Sequence, residues 1–167
     1  EKLRDAGFRH DTSEGAPLCR WLVDGYRVDV LPVEASPVGM NTRWFREVVE
    51  FSLPKSLGDG CEIDVVSAPV FIATKFEAYR DRGKGDFQAS HDIEDVVSLI
   101  DGCAAIVELV ASAPPAVRGF VVQGLSSWTN RTEWTHLVAG HLSGMSLSAG
   151  RESIVCDRIL RICDLKS

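Results

Sequence analysis

The chain has 167 residues, 45% of them hydrophobic and 25% charged, with a net charge of −6. That balance belongs to a globular chain with enough apolar content for a core, and it excludes a chain-wide basic footprint for nucleic acid. No apolar run is long enough to span a membrane, and five scattered cysteines without Cys-x-x-Cys spacing read as reduced thiols in a cytoplasmic protein rather than a disulfide framework.

Glu1 to Gly7 reads as the end of a helix stopped by Gly7, which lets the chain leave with a positive φ. It carries no N-cap, so the expectation is a chain that begins inside an element, with a further segment upstream. Phe8 to His10 reads as a short strand, and Asp11 to Pro17 as turns. Leu18 to Val23 and Tyr26 to Leu31 are then two strands around Asp24-Gly25, a pair suited to the positive φ angles of a type I′ hairpin turn. The turn sets Val23 opposite Tyr26, Trp21 opposite Val28 and Arg20 opposite Asp29. Alternation puts Cys19, Trp21, Val23, Tyr26, Val28 and Val30 on an apolar side expected to meet the core. Arg20, Arg27 and Asp29 fall on the other side.

Pro32 to Asn41 is a loop and Thr42 to Glu50 a short helix with Trp44, Phe45 and Val48 inward. Strands are expected at Phe51 to Leu53 and Cys61 to Val66, separated by Lys55 to Gly60. Ser67-Ala68-Pro69 opens a helix that runs to about Arg82, since proline is tolerated in a first turn. Arg82-Gly83-Lys84-Gly85 breaks it. Ser90 caps the next helix, where Ile93, Val96, Val97 and Ile100 follow the spacing of one buried stripe. Cys103 to Ser112, Pro115 to Ser127, Asn130 to His141 and Gly150 to Leu165 are four further helices.

Several side chains could carry chemistry, Asp29, Lys75, Arg82 and Asp92 foremost. Asp29 lies in a β-branched run that disfavours acids; it is either the ion-pair partner of Arg20 or a carboxylate for a divalent metal, which takes oxygen ligands. Lys75 interrupts the apolar stretch Val70 to Phe76 and shares a helical face with Arg82, Phe71 and Ala78. It is either a phosphate ligand or a lysine that packs its stem and leaves its amine in water. Arg80 to Gly85 sets three cations beside two glycines, as an anion-wrapping loop or a solvated one. Asp92 and Asp95 suit the positive end of their helix. Asp92, nearer the core stripe, is placed to hold Lys75 or Arg82. His136 and His141 are poorly spaced for a shared metal, and Asn130-Arg131-Thr132 is a glycosylation sequon that is silent in a cytoplasmic chain.

The ordered set Val28-Asp29-Val30, Ser67-Ala68-Pro69, Ala73-Thr74-Lys75-Phe76-Glu77-Ala78 with Arg80 and Arg82, then His91-Asp92-Ile93-Glu94-Asp95 resembles the nucleotidyltransferase fold. It is closest to the branch with the abortive-infection AbiEii-type toxins and related minimal nucleotidyltransferases. The resemblance covers residues 1–101 and implies an α+β domain, a mixed sheet flanked by helices; the helical region at 102–167, read from the pattern alone, lies outside it. It further implies transfer of a nucleotide from a nucleoside triphosphate to a hydroxyl with Mg2+, and it leaves room for an RNA or protein acceptor and an antitoxin partner. Asp29 would be a catalytic and metal-binding carboxylate, with Lys75, Arg82 and Asp92 at the nucleotide. The family's Gly-Ser loop and Asp-x-Asp strand do not occur before Asp29, so the fragment alone is expected to be inactive. The alternative is a non-catalytic module that binds a nucleotide or a protein on the same fold.

Overall fold

The computed structural model describes residues 2–34, 41–82, 85–142 and 150–165. Among them the chain mixes helices and strands. It opens with one helical turn, α1 (Lys2–Asp5), and an antiparallel sheet of β1 (Arg9–His10), β2 (Arg20–Val23) and β3 (Tyr26–Asp29) in that order. Helix α2 (Phe45–Glu50) leads to a second antiparallel pair, β4 (Leu53–Gly58) and β5 (Cys61–Val65). Then come α3 (Ala68–Arg82), α4 (His91–Gly102), α5 (Ile106–Ser112), α6 (Pro115–Thr129), α7 (Trp134–Leu142) and α8 (Arg151–Cys163).

Local chemistry accounts for the element ends. Gly7, at φ 84°, closes α1; the Phe8 N–H donates to the Leu3 carbonyl at 2.9 Å and the Gly7 N–H to that of Arg4 at 3.0 Å. These are the two bonds of a Schellman stop. Asp24 and Gly25 both take positive φ, 47° and 82°. The register they impose pairs Val23 with Tyr26, Trp21 with Val28 and Arg20 with Asp29, as the turn chemistry predicts. At α4 the Ser90 hydroxyl accepts the Ile93 N–H at 3.4 Å.

The core is helical. Ile72, Ile100, Ile106, Leu125, Leu142 and Ile159, one from each of α3 to α8, are wholly buried, and helices on both sides of residue 101 share this one cluster. The predicted stripe Ile93, Val96, Val97 and Ile100 is wholly buried too. Trp44, Phe87 and Ala113 are the buried contributions from outside these helices. Trp128 sits edge-to-face with Phe76 and Phe87, at ring-centroid distances of 5.3 and 4.9 Å.

Three expectations need correction. The mixed sheet is not formed among the described residues, where the strands make two separate antiparallel sheets; two-residue turns can join only antiparallel neighbours. The segment Lys55 to Gly60 is not a separator, because β4 runs through Lys55 and Ser56 to Gly58. A second Asp-Gly turn, Asp59 at φ 50° and Gly60 at 75°, folds it onto β5. Nor does the apolar side of the first hairpin enter the core: Trp21, Val23 and Val28 are half-buried and Tyr26 is 73% exposed. Smaller differences are boundaries, with α5 starting at Ile106 and α7 at Trp134. Gly83 and Lys84 lie outside the described residues, as does most of both the 32–41 loop and the 144–150 segment.

Candidate functional site

Helix α3 turns two opposite faces to two grooves. At 100° per residue, Thr74, Lys75, Ala78, Asp81 and Arg82 project to one side, and Phe76, Tyr79 and Arg80 to the other. The first side walls a cleft of about 470 Å³, closed by the end of the β2–β3 hairpin and the segment before α2. Asp29, Lys75, Arg82 and Asp92 all line it, so the four residues singled out in the sequence are brought to one place.

Asp92 organises the cleft. It occupies the first turn of α4 and is buried, at 5% exposure. Arg82 grips it at two points, Nε to Oδ2 at 3.1 Å and Nη2 to Oδ1 at 2.8 Å, and Lys75 Nζ lies 3.5 Å from Oδ1. One carboxylate thus holds two cations from α3, which places the α4 N-terminus against the C-terminal half of α3. The Asp92 hydrogen bonds raise the Arg82 pKa further above its ordinary value. Asp92 takes only the Nε edge of the guanidinium, so the Nη1 donors remain for another acceptor. Lys75 Nζ also meets Asp95 at 2.5 Å and lies 5.3 Å from the Phe71 ring centroid. Asp95, farther from the core stripe than Asp92, therefore belongs to the same network.

Glu77, another wall residue, repeats the arrangement. It accepts from Arg43 Nη1 at 3.1 Å and Asn41 Nδ2 at 3.0 Å, with Arg80 Nη1 3.8 Å away. The Arg43 guanidinium stacks 4.5 Å from the Phe120 centroid, which favours a cation over an aromatic face. Arg43 and its partners Glu77 and Asn41 are cleft residues to which the sequence pattern assigns no role. The Arg43–Glu77 contact spans α2 and leaves no local pattern.

Asp29 stands on the hairpin wall. Both its oxygens face Arg20, with Nε to Oδ1 at 2.9 Å and Nη2 to Oδ2 at 3.2 Å. Those hydrogen bonds hold its pKa below the ordinary carboxylate value. Among the described residues, no three His, Cys, Asp or Glu side chains converge where they could hold a metal ion. Outside the cleft, His141 Nε2 bonds the Phe87 carbonyl at 2.9 Å and the ring packs on Phe87, as a core histidine does.

The cleft is lined by three cations, Arg43, Lys75 and Arg82, and four acids, Asp29, Glu77, Asp81 and Asp92. Its net field therefore attracts no anion, and any anion affinity must come from aimed donors at short range. No helix among the described residues is long and apolar enough to cross a membrane. Comparison with protein-family profiles, curated proteins and solved structures yields no significant match to this chain.

Proposed function

We propose that the cleft binds the phosphates of a nucleoside triphosphate in a nucleotidyltransferase-like protein. The observation that supports this most is the pairing of Lys75 and Arg82 on the single buried carboxylate of Asp92. A shared acid fixes two cations side by side and leaves donors on both, an arrangement suited to neighbouring phosphate oxygens. The same acid fixes α4 against α3, so the donors are preorganised rather than recruited. Isothermal titration calorimetry with each of the four nucleoside triphosphates, with and without Mg2+, tests the reading. Saturable binding that weakens at least ~10-fold in Lys75→Ala and in Arg82→Ala is expected. Absence of binding by any triphosphate at millimolar concentration overturns it.

Nucleotide transfer to a hydroxyl of an RNA or protein acceptor is the second reading. It is favoured by the presence of Asp29 on the same cleft as Lys75, and it requires carboxylates beyond those that the described residues bring near Asp29. Binding indifferent to Mg2+ and to Asp29→Ala marks a binding module. Binding that needs both, with labelled nucleotide passing to an acceptor, marks a transferase.

A further inference from the structure

The opposite face of α3 forms a second groove with α6, of about 340 Å³. Phe120, Gln123, Gly124, Ser127 and Trp128 line it from α6, with Arg131 just beyond the end of that helix, and the five helical positions follow one stripe ~12 Å long. Gly124 brings the two helices together at the base of the groove: a Cβ there would stand 2.3 Å from the Phe76 ring, which packs directly on the α6 backbone and is buried with Trp128. Tyr79 forms part of the wall, and its hydroxyl is buried without a hydrogen-bond partner among the described residues.

The ends of the groove are cationic. Arg80, from α3, sits 5.8 Å from the Phe120 ring centroid, and its nearest acid in the structure, Glu77, is 3.8 Å away and already bonded to Arg43 and Asn41. Arg131, at the far end, rests 5.2 Å from the Phe87 centroid and has no ion pair among the described residues. Both guanidinium groups therefore retain donors. A groove of this volume, with aromatic walls and few convergent polar groups, has the size and lining of a small-molecule site. We propose that it binds a planar aromatic ring carrying an anionic group, the ring between Tyr79 and the Gln123–Ser127 side of α6 and the anion at an arginine of the rim. The groove lies on the face of α3 opposite the Asp29–Lys75 cleft.

The fluorescent anion 8-anilinonaphthalene-1-sulfonate is a direct probe, with indole-3-carboxylate and adenosine monophosphate as competitors that separate an aryl carboxylate from a nucleotide source. One saturable site is expected. Ser127→Phe, made from an exposed position on the rim, fills the groove and removes the signal while the far-ultraviolet circular dichroism is kept. Gln123→Trp does the same from the neighbouring turn. The double variant Arg80→Ala, Arg131→Ala weakens binding ~10-fold, for the loss of charge-assisted hydrogen bonds, and lysine at both positions recovers part of it. Lys75→Ala leaves the affinity unchanged, so failure here is distinct from failure of the triphosphate reading. Absence of saturable binding, binding that survives both groove-filling variants, or neutral indole competing as well as its carboxylate overturns the proposal.

Discussion

Arg82, the last residue of α3, and Asp92, in the first turn of α4, are joined by a two-point fork of 3.1 and 2.8 Å. The fork spans the break between the two helices, and it orients the groups proposed to meet a phosphate. Stability and binding therefore meet at one buried acid. Asp92→Ala is expected to lower the unfolding free energy by about 2 kcal/mol, for a buried hydrogen bond to a charged group and a favourable helix-end charge. A denaturant midpoint that falls at constant m-value checks it. Triphosphate affinity is expected to fall with it.

Lys75→Ala separates the two roles. Its amine is partly solvated and shares acids that keep other contacts, so the stability change should stay within about 1 kcal/mol. Triphosphate affinity should drop ~10-fold. A large loss of stability with affinity unchanged would identify Lys75 as structural.

The Arg20–Asp29 pair makes a pH prediction. Asp29 has its folded pKa lowered from 3.8 by the Arg20 hydrogen bonds. Its contribution is thus fully present above the ordinary carboxylate value and is lost as pH falls through the lower folded value. A double-mutant cycle with Arg20→Ala and Asp29→Ala should show favourable coupling at pH 7 that declines as the pH is taken below the ordinary carboxylate value and is lost in strong acid. Coupling that persists in strong acid would contradict the assignment.

Gly124→Ala should be costly. The added methyl would meet the ring of Phe76, which is 4% exposed and held edge-to-face by Trp128. Overpacking of this kind costs about 1–3 kcal/mol, which for a chain of this size lowers Tm by roughly 2–12 °C. Scanning calorimetry reads the shift directly.

Thiol reactivity should follow exposure and pKa. All five cysteines are free, with Cys61 exposed and Cys156 buried. Burial is the main cause that pushes the Cys156 thiol up to about 11, so little thiolate is present at pH 8. Timed alkylation with peptide mapping should find Cys61 modified early and Cys156 last.

Much of this arrangement is written locally. Asp24-Gly25 dictates the pairing of Arg20 with Asp29, Gly7 and Ser90 mark helix ends, and the stripe from Ile93 to Ile100 is the side that enters the core. The spacing of Lys75 and Arg82 puts both on the face that meets Asp92. Other features depend on tertiary neighbours. Alternation tells which side of the first hairpin is apolar but not whether anything covers it, and the core lies instead among α3 to α8. The same Asp-Gly signal that defines the first hairpin also stands at Asp59-Gly60, where the polar residues Lys55 and Ser56 obscure a strand. Asp95 reaches Lys75 because a lysine stem spans the gap between helices, which angular position on one helix does not convey.

Every residue of β4 and β5 is exposed, Leu53, Leu57, Ile63 and Val65 among them, whereas α3 to α8 share the buried interior. Amide protons in that ribbon are accordingly guarded only by its own ladder and should exchange with deuterium through small openings of the two strands. Those of Ile72 or Ile100 must wait for a far larger, cooperative loss of the interior. One chain should thus show protection factors spread over several orders of magnitude, with the divide falling near Val65 and Ala68 rather than between the helices on either side of residue 101.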